Sequence, residues 1–295
     1  MNSDLEPGGY VLAVSGGVDS VALLHHLQQQ TDIKLTVAHF DHGIREDSAE
    51  DRQFVGQLAY KYQLPYVYDE GRLGTGTSEA VARVARYQFL QRVAEASNAR
   101  AIITAHHQDD VLETAIINLV RGTGRKGLTA LGTQQGVERP IRHIPKADLI
   151  AYAQDQGLTW REDSTNKDES YLRNYVRQRL VTRFDQEARH KLLGIIENLR
   201  VANTELDGLL ADELDQHSID GVIDRQWFIQ LPHDVSREIL AAWLRAHGIR
   251  AFDTKSLERL VVAAKIGKPG AQFDALLGVR MRVGIDNLAL LGYER

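Results

Sequence analysis

Between an apolar run at residues 10–14 and the helical pattern Val21, Leu23, Leu24 and Leu27 stands the string Ser15-Gly16-Gly17-Val18-Asp19-Ser20. A chain that passes from a buried strand through paired glycines into a helix has few ways to fold. Glycine has no Cβ, so the backbone turns tightly and a ligand approaches its N–H groups closely. Those groups and the positive end of the helix dipole make an anion site. An exposed helix terminus contributes only about 0.3–1 kcal/mol per charge, so several donors must act together to hold a pyrophosphate. Ser15 and Ser20 add hydroxyls. A Walker A loop needs Gly-Lys-Ser/Thr and a dinucleotide fingerprint needs G-x-G-x-x-G; the string is neither.

Strand and helix signals alternate downstream. Residues 35–39 are a second apolar run, followed by a helical pattern with Phe54, Val55, Leu58 and Ala59 on one side. Residues 66–68 form a short strand, and Ser78 caps a helix carrying Val81, Val84, Ala85 and Leu90. Residues 101–105 form a buried strand, and a helix runs from 110 to 121. This alternation predicts an α/β fold with a parallel sheet covered on both faces by helices. Ligands of such sheets sit outside the carboxyl ends of the strands, which points to residues 15–20, 39–45 and 106–110. Residues 122–145 read as loop with one short strand. Pro145 opens a helix over 146–156 that Gly157 closes.

After about residue 183 the pattern changes. A long helix carries Leu192, Ile196, Leu199, Leu206 and Leu210, and further helices cover roughly 234–247 and 254–266. Near the end Val279, Met281, Val283 and Ile285 alternate with Arg280, Arg282 and Gly284, and Asp286-Asn287 turns the chain into a hairpin. The expected division is a catalytic domain at 1–183 and a smaller, mostly helical domain at 184–295.

Composition removes several classes of chemistry. There is no cysteine among the 295 residues, which excludes disulfides, thiolate metal sites, iron–sulfur clusters and cysteine nucleophiles. No apolar run reaches membrane-spanning length and the N-terminus is not a secretory signal, so a cytoplasmic protein without a membrane partner is expected. The net charge is −5, unlike a general nucleic-acid coat. Yet residues 171–200 hold seven Lys/Arg against three acids, and residues 203–220 hold six acids and no Lys/Arg. A basic segment on an acidic chain suits a directed anionic contact.

Four further strings carry candidate chemistry, two of them at the predicted ligand edge. His39-Phe40-Asp41-His42-Gly43-Ile44-Arg45 leaves the second strand. Asp41 is placed to hold a magnesium ion, a substrate amine or the nucleotide; the histidines read more simply as imidazoles that fix the loop. Ala105-His106-His107-Gln108-Asp109-Asp110-Val111-Leu112-Glu113-Thr114 follows the 101–105 strand and runs on to Asn118, Arg121 and Gly122-Thr123-Gly124. On a helix, Val111, Leu112, Ala115, Ile116, Leu119 and Val120 share one broad face. Asp110, Glu113, Thr114, Asn118 and Arg121 share the other, with Ile117 the apolar exception. Asp110 and Glu113 are neighbours able to hold a metal or an ammonium; the plain alternative is a solvated face with an acidic first turn. In Ala82-Arg83-Val84-Ala85-Arg86-Tyr87, Arg83 and Arg86 are three apart, and an arginine facing an α-phosphate stabilises charge developing there. Last, Glu162-Asp163-Ser164-Thr165-Asn166 precedes Arg173-Asn174-Tyr175-Val176-Arg177. Arg173 and Arg177 lie one turn apart, suited to clamping phosphate.

The six-residue loop resembles the PP-loop of the N-type ATP pyrophosphatases, which cleave ATP between the α and β phosphates. All five strings, in order over residues 10–180, resemble the tRNA(Ile)-lysidine synthetase family. Val111-Leu112 stands where that family commonly has a glutamine, Ser164-Thr165-Asn166 varies its serine-asparagine pair, and the C-terminal part is short beside longer members. The resemblance implies a parallel-sheet, Rossmann-like domain of the adenine nucleotide alpha hydrolase-like type, with a helical domain that contacts tRNA. It implies ATP as co-substrate with Mg2+, and lysine and the CAU-anticodon isoleucine tRNA as partners. The implied enzyme is a ligase that joins lysine to C2 of the wobble cytidine through an adenylated cytidine, changing the codon read from AUG to AUA. In this reading Ser15, Gly16, Gly17, Val18, Asp19 and Ser20 hold ATP, and Asp19 and Asp41 hold magnesium. Asp41, Arg86, His106, Asp110 and Glu113 do the chemistry, while Arg83, Arg121, Arg173 and Arg177 meet substrate or tRNA. A homodimer is compatible with it.

Other readings stay open at this point. One is a different superfamily enzyme, either a tRNA thiolase, which usually uses cysteines, or an amidating synthetase, which needs an ammonia source. Another is a two-metal phosphoesterase built on His39, Asp41, His42, His106, His107, Asp109 and Asp110. A tRNA-binding module without catalysis leaves the clustered carboxylates with no task.

Overall fold

The computed structural model describes residues 5–43, 48–71, 74, 77, 79–129, 131, 136–161, 172–249, 252–276 and 278–292. The cap expected at Ser78, the loop residues Ile44 and Arg45, and the string from Glu162 to Asn166 lie outside them. The chain divides into two compact units, Met1–Arg200 and Val201–Arg295.

The first unit begins β1 (Gly8–Ala13), α1 (Val18–Leu27), β2 (Ile33–Asp41), α2 (Ser48–Lys61), β3 (Tyr66–Glu70), α3 (Glu79–Ala96) and β4 (Ala101–Thr104). It continues with α4 (Gln108–Val120), α5 (Arg125–Leu128), β5 (Val137–Glu138), α6 (Lys146–Asp155) and α7 (Leu172–Tyr175). A π-helical turn over Val176–Leu180 and a short 3-10 turn over Val181–Arg183 lead into α8 (Gln186–Gln216). The unit boundary falls within α8.

The five strands form one parallel sheet in the order β3-β2-β1-β4-β5. β1 is central and buried on both faces, which explains its unbroken apolar run. Tyr10 and Leu12 enter a core with Leu23, Val55 and Leu149, while Val11 enters a separate one with Ala38, Phe89, Leu90 and Ile102. Each fully buried Leu or Val side chain contributes on the order of 1.5–3 kcal/mol. The last residue of β1, Ala13, is level with Ala38 of β2 and Thr104 of β4. From β1 the chain steps outward to β2 and β3, then returns to place β4 on β1's other side. This reversal makes the crevice beyond β1 and β4 the expected ligand position. α3 departs from expectation: Val81 and Val84 are exposed, and Ala82, Phe89, Leu90 and Val93 make the buried face. Leu90 is buried as expected, but the β-branched positions Val81 and Val84 do not mark the side of α3 that meets the sheet.

The second unit holds the remainder of α8, then β6 (Ser218–Ile219), β7 (Val222–Asp224), α9 (Arg225–Gln230), α10 (His233–Ala246) and α11 (Thr254–Ile266), and ends with β8 (Gln272–Leu276), β9 (Val279–Val283) and β10 (Asn287–Leu291). β9 and β10 are the expected hairpin, with Val279, Met281 and Val283 inward and Arg280 and Arg282 outward. The hairpin belongs to a five-stranded antiparallel sheet, β6-β7-β10-β9-β8. Helices and sheet share an apolar core around Phe228, Leu240, Trp243, Leu260 and Met281. Among the described residues no helix is long and apolar enough to cross a membrane.

Candidate active site

The loop after β1 is held open by its own polar groups. Gly16 has φ +94, a backbone region that disfavours side chains, and Gly17 is extended before α1 begins. The Ser20 hydroxyl donates to the Gly17 carbonyl at 2.9 Å and accepts the Ser15 N–H at 3.2 Å. The Val21 N–H reaches the same Gly17 carbonyl at 3.0 Å. Ser20 therefore spends its proton on the shape of the loop, and the first N–H groups of α1, which have no partner inside the helix, face the sheet edge. Asp19, in the first turn of α1, has its Oδ2 3.4 Å from Lys146 Nζ and 3.6 Å from His107 Nε2. Its Oδ1 is buried without a hydrogen-bond donor.

From His107 the charged groups continue along α4. His107 Nε2 lies 3.4 Å from Asp110 Oδ2, and the His107 N–H donates to that oxygen at 2.9 Å, capping the helix. Arg177 grips Glu113 with two bonds, from Nε at 2.6 Å and from Nη2 at 3.0 Å, and Nη2 also reaches Asp110 Oδ1 at 3.4 Å. Arg177 stands on the π-helical turn, a local widening that recurs at functional sites. Burial opposes the charge on Asp110, but His107, His106, the His107 N–H and Arg177 outweigh it and hold the carboxyl below its ordinary range. Burial pushes the Glu113 carboxyl up against the pull of Arg177. Burial also opposes the charge on Arg177, but Glu113, Asp110 and Asp19 overcome it and raise the guanidinium. The two-bond geometry makes this an ion pair.

The face of α4 departs from the simplest amphipathic reading, because members of both expected rows are buried. Asp110, Leu112, Glu113 and Ile117 are buried, while Leu119 and Val120 are 65% and 71% exposed. Ile117 is thus no exception; it continues the row set by Asp110 and Glu113. Charge faces inward because Arg177 arrives to neutralise it. Breaking such a pair by removing one partner costs about 3–5 kcal/mol.

On the other side stands a positive cluster. His106 accepts or donates a 2.8 Å bond with the Thr104 hydroxyl. Burial lowers its pKa to about 3; Arg86, Arg139 and Arg83 reinforce the shift and Asp110 opposes it. The ring is therefore neutral near pH 7. Burial lowers the Arg86 guanidinium too, with Arg83 and Arg173 adding to the effect. Arg83 and Arg86 lie over the Tyr87 ring at 4.9 and 5.5 Å. Arg86 Nε is buried without a partner. Crowded guanidiniums of this kind fit an anion.

The predicted residues thus fall into three groups. Residues 15–20, His106, Asp110, Glu113 and Arg177 flank the crevice beyond β1 and β4, and Arg83, Arg86 and Arg173 form the positive cluster near His106. Asp41 ends β2, buried, with Oδ1 accepting the Gly43 N–H at 2.8 Å. Arg121 is exposed at the far end of α4, 11 residues from Asp110 and hence about 16 Å along the axis. His39 is a loop-fixing group, its Nδ1 donating to the Val14 carbonyl at 2.9 Å. Among the described residues no three His, Asp or Glu side chains converge as a metal cluster. Sequence reasoning missed Lys146, which reaches Asp19, and Arg139, a buried member of the positive cluster. It also missed Arg189, which bonds Asp109 Oδ1 at 2.9 Å. A lone basic residue carries no local signature; only the fold brings each one in.

The profile of a PP-loop domain family matches residues 2–184. A curated tRNA(Ile)-lysidine synthase of Thermotoga sp. (strain RQ2) is 39% identical over 188 residues, 60% of this chain and 45% of that protein. Another, of Solibacter usitatus (strain Ellin6076), is 33% identical over 214 residues, 72% of this chain and 49% of that protein. The chain spans about half the length of these relatives. Among solved structures, the U34-tRNA thiolase NcsA from Methanococcus maripaludis matches with a TM-score of 0.56 over 66% of this chain and 73% of that one. At 17% identity it is a likeness of fold.

Proposed function

The chain belongs to the PP-loop domain family, and from that premise we propose that it has tRNA(Ile)-lysidine synthase activity. It joins the ε-amine of lysine to C2 of the wobble cytidine in the CAU-anticodon isoleucine tRNA. The cytidine C2 oxygen attacks the α-phosphorus of ATP, and pyrophosphate leaves. The lysine amine then attacks C2, and the C2–O bond breaks to release AMP. The codon read changes from AUG to AUA. The observation that carries this reading is the run of contacts from Asp19 through His107 to Asp110, Glu113 and Arg177. It ties the phosphate loop to a carboxylate pair in a single crevice.

Each group has a task there. The N–H groups at the start of α1 hold the phosphates, and Lys146 offers a cation beside them. Arg86 and Arg83 stabilise charge at the α-phosphate. Asp110 and Glu113 set two carboxylates against Arg177, an excess that accepts one cationic amine. The amine must lose a proton before attack. Asp110 is assigned as the acceptor on access alone, because Arg177 holds both oxygens of the fully buried Glu113. His106, being neutral, orients the amine without repelling it. The cytidine must leave the anticodon stack to reach this edge. Arg173 and Arg121 are assigned to the tRNA backbone.

Asp19 fits a magnesium ion, since its Oδ1 is a buried oxygen with no donor. Mg2+ commonly takes one or two carboxylates and completes its shell with phosphate oxygens and water; Asp41 is the second carboxylate assigned to it. When bound, the ion neutralises charge on the departing pyrophosphate.

The test is pyrophosphate release with ATP, Mg2+ and the CAU-anticodon isoleucine tRNA, with and without lysine. Lysidine should appear only with lysine, seen as the added lysyl mass on cytidine. ATP cleavage that ignores this tRNA, or a product without that mass, would refute the assignment.

A further inference from the structure

We propose that Arg161 is a positioning residue for ATP, clamping the Gly16 peptide so that the phosphate-binding N–H groups are already aimed when the nucleotide arrives. The proposal rests on reading residues 15–20 as the nucleotide-phosphate loop. The Arg161 N–H donates to the Gly16 carbonyl at 2.9 Å. A trans peptide is planar, with its C=O and N–H pointing opposite ways. Fixing the Gly16 carbonyl toward Arg161 therefore turns the Gly17 N–H away from Arg161. That N–H makes only a long contact, 3.4 Å, with Ser15 Oγ. A peptide between two glycines meets little steric resistance to flipping, so an outside bond is what selects one orientation.

The Arg161 backbone is held in turn by its own side chain. Nε donates to Asp51 Oδ1 at 2.9 Å and Nη2 donates to Glu50 Oε2 at 2.8 Å, both in the first turn of α2. Asp51 is buried. The same helix lines the loop: a Cβ on Gly16 would meet Phe54 at 3.5 Å, Val55 at 3.6 Å and the Arg161 stem at 3.8 Å, ordinary van der Waals contact. One helix thus borders the loop and anchors the residue that orients it. Trp160 packs into the core beside Arg161, so the segment keeps an anchor of its own when the arginine side chain is removed.

The experiment uses the full chain and measures ATP affinity by calorimetry in the parent, Arg161→Ala, Arg161→Lys and Asp51→Asn. The KM for ATP, kcat and thermal unfolding are followed alongside. Arg161→Ala should weaken ATP binding about tenfold, or about 1.4 kcal/mol. Its KM should rise in parallel, kcat should change less than about threefold, and Arg161→Lys should recover part of the loss. ATP affinity equal to the parent's in Arg161→Ala would overturn the proposal. If that variant does not fold, unchanged affinity in both Arg161→Lys and Asp51→Asn would overturn it. A parent that binds ATP and makes no lysidine refutes the functional reading and leaves the clamp standing.

Discussion

The two units bury polar groups to different ends. Among the described residues the first encloses His39, Asp41, Asp51, Thr104, His107, Asp110, Glu113, Arg139 and Ser20, while the second encloses Arg225 and Ser236. Arg225 donates to the carbonyls of Ala264, Gly284, Lys265 and Gly267, and Ser236 reaches those of Leu231 and Pro232. Those groups are closed upon the fold. In the first unit Asp19 Oδ1, Arg86 Nε and His107 Nδ1 are left buried without partners. An unmet buried polar group costs about 1–3 kcal/mol, a cost that a ligand offsets. Arg225 and Ser236 of the second unit serve stability; the first unit keeps part of its polar interior open for chemistry.

The largest effect that sharpens this contrast is on catalysis. Asp110→Asn should lower lysidine formation by roughly 10³-fold or more, with hydrogen-exchange protection in the second unit unchanged; full turnover would end the distinction. Next come paired stability measurements. Glu113→Gln leaves Arg177 with only its longer contact to Asp110 and should cost about 3 kcal/mol in urea unfolding. Leu240→Ala, in the core of the second unit, should cost a similar ~2–5 kcal/mol, yet leave ATP affinity as it was. If Leu240→Ala weakened ATP binding, the two interiors would not be independent.

A smaller effect comes from acid. The unfolded chain binds a proton on His106 near pH 6.5, and the folded chain refuses it until about 3. The unfolded state therefore holds more protons in that window, so stability falls as pH drops from 6.5 toward 3. Hydrogen exchange in the first unit should show this slope, and His106→Gln should flatten it; an unaltered slope would assign it to other groups. Smallest is Arg121→Ala, which should change ATP affinity by less than about twofold, since about 16 Å of helix separates it from Asp110. A tenfold change there would place it in the site.

Legibility in the sequence followed the range of the interactions. The strand–glycine–helix passage is local, and residues 8–27 folded as their pattern predicts. So did the terminal hairpin, whose alternation spans β9, although Ile285, expected in the same inward row, is exposed in the turn. β6 and β7 are two and three residues long, too short for any period to register, so their edge of the sheet is not legible. α4 shows a different limit. Its polar row was visible, but periodicity does not say which row faces inward when the interior is charged. Arg177, 64 residues beyond Glu113, decides that. Lys146 and Arg161 likewise reach the phosphate loop from 127 and 145 residues away, with no local mark of their role.

The division of labour between the phosphate loop and the start of α4 is open to a single test in Asp110→Asn. With ATP, Mg2+ and the CAU-anticodon isoleucine tRNA, pyrophosphate release and lysidine are followed together. Pyrophosphate and adenylated tRNA should still form while lysidine does not. Lysidine at the parent's rate, or loss of both products in a folded variant, would contradict the proposed site.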